Sequence, residues 1–307
     1  MYRADVWWCH MTETRTVGAA LAYAIRVLRA SGSPTPRLDA EVLLAHVEER
    51  DRAWLLAHPE ATASEPAAFE RSLERRAAGE PIAYIRGWKE WHSLRIGTDA
   101  RALIPRPETE FLADAAIARI AERLARDDAP IVAWEVATGS GAVAVLIALR
   151  FRQAIALGRV TLVASDLSPD AVELAAENLA GHGVERLVNV ACGDLLNAAG
   201  RTLPRPDVVI ANLPYVATAE VDAAAGSLAH EPRMALDGGP DGLNIVRRLL
   251  YEVPTRAAHA ATVLLEIGAG QADAVRAMAP AGASVSFEAD LAGIERVVRV
   301  SLSDSIA

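Results

Sequence analysis

Ile131-Val132-Ala133-Trp134-Glu135-Val136-Ala137-Thr138-Gly139-Ser140-Gly141 is the stretch that decides the fold. Its first six residues form a mostly apolar run of strand length, interrupted by a single acid. The last five form a glycine loop, and Ala142 to about Arg150 reads as a helix. Strand, glycine loop and helix in that order open a parallel α/β unit. The glycines let backbone approach a ligand closely. One such loop is common, so its weight depends on the segments around it.

Downstream, Val160–Ala164 reads as a second strand that ends at Ser165-Asp166, and Pro169–Leu179 as a helix. Asp166 lies about 25 residues beyond Gly141. That is close to where a Rossmann-type unit places the carboxylate that takes ribose hydroxyls. Leu187–Ala191 is a third strand, ending at Gly193-Asp194-Leu195, and Val208–Ala211 is a fourth. The fourth strand stops at Asn212-Leu213-Pro214-Tyr215, where Pro214 biases Leu213 towards an extended backbone and a stiff turn. Four successive strand ends therefore carry Gly/Ser, Asp, Asp and Asn-x-Pro-Tyr. Together they describe a nucleoside laid across the rim of an open α/β sheet, with reactive chemistry at the fourth strand. A loop with Glu231-Pro232-Arg233 comes next, then the turn Asp237-Gly238-Gly239 and a helix over Asn244–Val253. The strand Val263–Ile267, a helix over Gln271–Met278 and a hairpin (Ser284–Phe287 to Val297–Leu302) close the chain.

Upstream, the pattern from Thr16 to about Gly79 is helical. Leu21, Ile25 and Leu28 recur at helix spacing before the stop Ser31-Gly32-Ser33-Pro34. Leu38, Val42, Leu43 and Val47 mark a second helix, Trp54 and Leu55 the start of a third, and Pro66–Ala78 another. Arg71, Arg75 and Arg76 are expected on the solvated side of that last helix. Ile82–Ile96 reads as extended, a hairpin containing Trp88 and Trp91. Ile104-Pro105-Arg106-Pro107 then leads to Glu108-Thr109-Glu110, the start of an amphipathic helix to Leu124. The domains expected are a helical N-terminal one over 1–79, a linker with a hairpin over 80–106, and an α/β domain over 107–307.

At 307 residues the chain can bury a sizeable core. No apolar run reaches the length of a membrane span, and the N-terminus lacks the apolar core of a signal peptide, so a cytoplasmic protein is expected. Met1–His10 differs in character from the rest of the chain, which makes Met11 an alternative start. Of the two cysteines, Cys9 reads as a loose terminal thiol and Cys192 as a small apolar filler, with no metal-binding spacing around either. The net charge of −9 argues against extended duplex binding, though not against one flipped base or a protein partner. His92, His182 and His230 show no partner pattern and read as surface or packing residues.

At these residues the chain resembles the class I S-adenosylmethionine-dependent methyltransferases. More narrowly, it is similar to the HemK/PrmC family, which methylates N5 of a glutamine in peptide chain release factors. The likeness includes Gly79-Glu80-Pro81-Ile82-Ala83-Tyr84, Ile104–Glu110, Ala137–Gly141, Asp166 and Asn212–Tyr215. It continues through Glu231-Pro232-Arg233 to Gly242 and Asp290-Leu291-Ala292-Gly293 with Arg296. The resemblance implies a Rossmann-like, seven-stranded catalytic domain with a small helical N-terminal domain for substrate recognition. It implies S-adenosylmethionine across Ala137, Thr138, Gly139, Ser140, Gly141, Asp166, Asp194, Leu195 and Asn212. It also implies substrate contacts from Arg106, Glu108, Thr109, Glu231 and Arg233, and a class 1 release factor as partner; an already activated methyl donor requires no metal, and a monomer is expected. Two positions depart from the family pattern. Leu213 stands where the family usually has proline, giving Asn-Leu-Pro-Tyr as in rRNA adenine dimethyltransferases, and Ala137 stands where the family has glycine.

The implied reaction moves a methyl group from a sulfonium to an amide nitrogen. The Asn212 side-chain oxygen and the Leu213 carbonyl would accept the two amide hydrogens, and Tyr215 would pack against the flat amide. The role asked of Leu213 is a backbone one. The same three groups would hold an adenine amino group. Adenine N6-methylation of nucleic acid therefore stands as the alternative, with a non-catalytic S-adenosylmethionine-binding protein as a third.

Overall fold

The computed structural model describes residues 16–126, 128–197, 204–224 and 226–303. Cys9 and Met11 lie outside them. The chain forms two compact units, one of residues up to Gly87 with Gly226–His230, the other of Trp88–Ala225 with the residues from Glu231 onward.

The first unit is helical: α1 (Val17–Ala30), α2 (Pro36–Val47), α3 (Arg52–Ala57), α4 (Pro66–Ala77) and α5 (Ile82–Arg86). The Thr16 hydroxyl caps α1 by accepting from Ala19 N, and Asp51 caps α3 by accepting from Trp54 N. Val17, Ala24, Leu28, Leu43, Leu44 and Leu55 are fully buried at its centre. Arg76 is not solvated as expected: it is buried, and its Nε donates to Asp39 at 2.7 Å. A buried charge needs such a partner, and only the packing of α2 on α4 supplies it. Ile82–Arg86 is a helix rather than a strand. Five residues are too few to show a helical period, and the segment starts at Pro81 and stops at Gly87 in the left-handed region (φ 74°).

The second unit begins with a hairpin, β1 (Trp88–Trp91) and β2 (Leu94–Gly97), and α6 (Thr109–Arg126). Then come β3 (Ile131–Val136), α7 (Ala142–Arg150), α8 (Arg152–Ala156), β4 (Val160–Asp166), α9 (Pro169–Gly181), β5 (Val188–Cys192) and β6 (Val208–Ala211). The rest is α10 (Thr218–Asp222), α11 (Asn244–Arg256), β7 (Thr262–Glu266), α12 (Ala272–Met278), β8 (Ser284–Ala289) and β9 (Glu295–Ser301). α11 continues past the expected stop at Val253, with Pro254 accommodated in its last turn.

The sheet has seven strands in the order β5-β4-β3-β6-β7-β9-β8. β3 to β7 are parallel, and β9 is antiparallel to both β7 and β8. Every residue of β3, β6 and β7 is buried, as expected of a parallel sheet covered by helices on both faces. From β3 the chain winds outward through β4 to β5, then returns to lay β6 on the other side of β3. The strand order therefore reverses between β3 and β6, which is where an open α/β sheet leaves a crevice at its carboxyl edge.

Candidate active site

The ends of β5, β4, β3 and β6 are neighbours, so the four strand-end motifs meet along one edge. They line a cavity of about 540 Å³, a volume suited to a small organic molecule. Ala137, Thr138, Gly139, Ser140, Asp166, Asp194, Leu195, Asn212, Leu213 and Pro214 all line it. Gly141 does not. Its missing Cβ serves packing instead, since a methyl there would lie 3.0 Å from the Cβ of Ala175 on α9.

The loop after β3 coils tightly. Ala137 (φ 56°), Gly139 (φ 56°) and Gly141 (φ 76°) are all left-handed, so the alanine occupies a position that favours glycine. Thr138 N donates to Ser165 O at 2.9 Å, and Gly139 N donates to Asp166 Oδ2 at 2.9 Å. Ser168 N donates to Asp166 Oδ1 at 2.9 Å. Asp166 is thus fixed by backbone, with lone pairs left over for a ligand. Burial raises its carboxyl above the ordinary carboxylate range, against the amides of Ser168 and Gly139, which hold it down.

Glu135, one residue before the end of β3, also lines the cavity and is 5% exposed. Burial pushes its carboxyl up to about 8, although it accepts from the Thr138 hydroxyl at 2.7 Å. No role for it comes from the glycine-loop pattern. Its signal in the sequence is the single acid inside an apolar strand run.

At β6 the chain leaves the sheet through Asn212–Tyr215. Asn212 Nδ2 donates to Thr109 Oγ1 at 3.0 Å, from the start of α6. Among the described residues no bond reaches Asn212 Oδ1 or the Leu213 carbonyl. The Tyr215 carbonyl accepts from Gln271 Nε2 at 3.0 Å, and its hydroxyl donates to Glu266 Oε1 at 3.1 Å. Tyr215 does not line the cavity; burial and Glu266 hold its phenol well above the usual value. The loop Asp237–Gly242 buttresses this turn by close backbone approach. A Cβ on Gly238 would sit 2.6 Å from the Pro214 carbonyl, and one on Gly242 would clash with the Tyr215 carbonyl.

Arg106, Thr109 and Arg233 line the cavity, whereas Glu108 and Glu231 do not. The Glu231 carboxylate, with its side chain 1% exposed, accepts from Ile104 N at 3.0 Å and from Arg106 at 2.6 Å. It clamps the proline-rich loop. Arg233 is half-exposed and pairs with Asp222 at 2.6 Å and Asp237 at 2.9 Å. Asp194 pairs with Arg248, and both line the cavity. Cys192 is exposed at the end of β5, not an apolar filler, because that strand is the sheet's edge. His92 pairs with Asp114 at 3.0 Å and stays clear of the cavity.

Residues 19–87 match the PrmC N-terminal domain. Over 283 residues the chain is 38% identical to a release factor glutamine methyltransferase of Deinococcus radiodurans, covering 91% of this chain and 96% of that protein. The chain belongs to the release factor glutamine methyltransferase family. A relative of the same name from Bordetella pertussis is 39% identical over 270 residues, 85% of this chain and 93% of that one. Among solved structures, the hMettl16 catalytic domain in complex with a 3′UTR hairpin is similar in fold, with a TM-score of 0.51. It is 12% identical and covers 77% of this chain and 84% of that one. The sheet is thus that of the class I methyltransferases.

Within this family frame, the two unusual positions separate. Ala137 carries backbone strain. Leu213 is 2% exposed, its side chain packed in the apolar core and its carbonyl without a hydrogen bond among the described residues.

Proposed function

We propose that the protein transfers the methyl group of S-adenosylmethionine to the side-chain nitrogen of the glutamine in the Gly-Gly-Gln loop of a class 1 peptide chain release factor. The observation that carries this reading is the orientation of Asn212. With Nδ2 engaged by Thr109, Oδ1 is the free acceptor of a residue that lines the cavity, next to Leu213, whose carbonyl is equally unengaged among the described residues. A primary amide has two hydrogens, and two acceptors at a stiff turn match them.

The cavity fits the cofactor. Asp166 is a backbone-anchored carboxylate of the kind that takes two ribose hydroxyls, and Leu195, Val143 and Ile245 supply apolar walls for a purine. When bound, S-adenosylmethionine supplies a methyl group already activated on a positive sulfonium. Asp166 would hold the ribose, Asp194 would face the adenine, and Ala137–Ser140 would pass backbone along the methionine end. Asn212 Oδ1 and the Leu213 carbonyl would accept hydrogen bonds from the two amide hydrogens and turn the nitrogen lone pair out of conjugation. They would also offset the positive charge that grows on the nitrogen as it takes the methyl from the sulfonium and leaves a neutral thioether, before one amide hydrogen passes to solvent as a proton. Tyr215, held by its hydroxyl and carbonyl, would limit the rotation of the turn. Arg106, Thr109 and Arg233 would edge the channel for the substrate loop, with Glu231 setting Arg106. The helical unit would recognise the protein substrate. The enzyme works in the cytoplasm as a monomer, and the net charge of −9 supports a protein partner over extended nucleic acid.

The adenine reading is favoured by one observation, Asn-Leu-Pro-Tyr. One experiment separates the two. Labelled cofactor is offered with a release factor, with the same factor carrying Ala for its loop Gln, and with adenine-containing RNA or DNA. Label on the intact factor alone is expected. Label on nucleic acid, or undiminished on the Gln-less factor, would reject the glutamine assignment.

A further inference from the structure

The glycine loop after β3 is anchored to β4 by two bonds, Thr138 N to Ser165 O and Gly139 N to Asp166 Oδ2, each at 2.9 Å. Its far end is anchored to α9. There Asn178, 7% exposed, donates from Nδ2 to the Ser140 carbonyl at 2.8 Å. The same amide brackets Gly97 at the end of β2. Nδ2 donates to the Gly97 carbonyl at 3.0 Å, and Oδ1 accepts from Gly97 N at 2.7 Å. Gly141 brings loop and helix together, since a Cβ on it would lie 3.0 Å from the Cβ of Ala175, one turn before Asn178. The hairpin is braced in turn: Lys89 Nζ and Trp91 Nε1 donate to the Pro105 and Arg106 carbonyls, each at 2.8 Å.

We propose that Asn178 is a positioning residue for the cofactor. Its amide ties the glycine loop to the braced hairpin and holds the loop in the shape that binds S-adenosylmethionine. The inference rests on the placement of the cofactor along Ala137–Ser140 given above and extends it to a residue outside the cavity wall.

The reasoning is one of donor accounting. A primary amide has two hydrogens to give, and both go to carbonyls here. Flipped, the amide would set its oxygen against those two carbonyls and its NH2 against Gly97 N, so its orientation is fixed. The loop it holds has Ala137, Gly139 and Gly141 in the left-handed region, and glycines released from such a loop gain much conformational freedom. A ligand that meets the loop already shaped does not have to order it on binding. Aspartate at 178 matches the amide in shape and still accepts from Gly97 N, but it sets an oxygen against both carbonyls. Gly97→Ala reaches the same bracket from the other side. The three atoms nearest an added Cβ all belong to Asn178, with Oδ1 at 2.8 Å, and Gly97 is not left-handed. The methyl therefore displaces the amide while α9 and the glycine loop keep their own residues.

The test measures the S-adenosylmethionine Kd of the full chain by calorimetry, at a temperature where circular dichroism shows each variant folded. The variants are Asn178→Ala, Asn178→Asp, Gly97→Ala and the double variant Gly97→Ala/Asn178→Ala, with Asp166→Ala as a control. Asn178→Ala and Asn178→Asp should raise the Kd by about tenfold to a hundredfold. Gly97→Ala should raise it several-fold and carries the test should the Asn178 variants fold poorly. The double variant should bind no more weakly than Asn178→Ala, because both changes break one bracket. With a release factor, the loss should appear in the cofactor KM, with kcat at saturating cofactor within about threefold of wild type. Asn178 variants that melt at lower temperature yet keep the wild-type Kd would show a merely structural amide and overturn the proposal. So would losses that multiply in the double variant, or a fall in kcat with the Kd unchanged. An Asp166→Ala that binds as wild type would instead reject the cofactor placement itself, and the proposal with it. Weak binding by Asp166→Ala beside full affinity in Asn178→Ala would overturn the Asn178 assignment alone.

Discussion

Replacing Glu135 by Gln tests the electrostatics of the site without changing its shape. The folded chain holds this carboxyl at about 8 against an ordinary 4.5, chiefly through burial. A raised carboxyl pKa means that the folded protein binds this proton more tightly than the unfolded chain does. The contribution is complete below pH 4.5, declines as pH rises, and is gone above about 8. The window spans about 3.5 pH units, and at about 1.4 kcal/mol per unit the ceiling is about 5 kcal/mol, with the true value lower where the site relaxes. Urea unfolding at pH 5, 6, 7 and 8 measures it. The wild type should lose stability relative to Glu135→Gln across that range, by roughly 1 kcal/mol per unit. S-adenosylmethionine is a cation, and bound in the cavity that Glu135 lines it should favour the charged form, so the wild-type Kd should fall as pH rises from 6 to 8 and that of the variant should not. Parallel pH profiles for the two proteins, free and loaded, would refute the reasoning and place the Glu135 charge in contact with water.

Asp166→Ala should weaken cofactor binding by about 1.5–3 kcal/mol for each charge-assisted bond lost; equal calorimetric affinities would reject Asp166 as the ribose ligand. Ala137→Gly relieves the left-handed strain and should raise stability by up to about 1 kcal/mol in urea, after the entropy that glycine adds to the unfolded chain. A less stable variant would mean that the methyl packing matters more. Asn212→Ala should lower kcat about 10²–10³-fold, far more than it weakens cofactor binding, and a pure KM effect would contradict its place at the reacting amide. Glu231→Ala removes the clamp on Ile104 N and Arg106 and should cost about 1–3 kcal/mol, read as a fall of several degrees in Tm.

Much of this protein was legible in the sequence because the relevant physics is local. A buried parallel strand is a short apolar run, a glycine loop must come after it to let backbone approach a ligand, and a proline must stop it. Ile131–Gly141, Ser165-Asp166 and Asn212–Tyr215 each show one of these locally, and their order along the chain implied a shared sheet edge. Short elements escaped for the same reason: Ile82–Arg86 has too few residues to display a period. What only the tertiary structure decided are the pairings between distant residues. Asn212 takes its orientation from Thr109, 103 positions away, and Tyr215 its anchor from Glu266, 51 positions on. Glu231 proved to be a clamp on Arg106, 125 positions back, and Arg76 an interior charge matched by Asp39. In the sequence Glu135 and Glu266 are single acids in apolar strands. Whether such an acid is solvated or buried depends on which helices cover the sheet, and those helices are brought there by contacts no local pattern records.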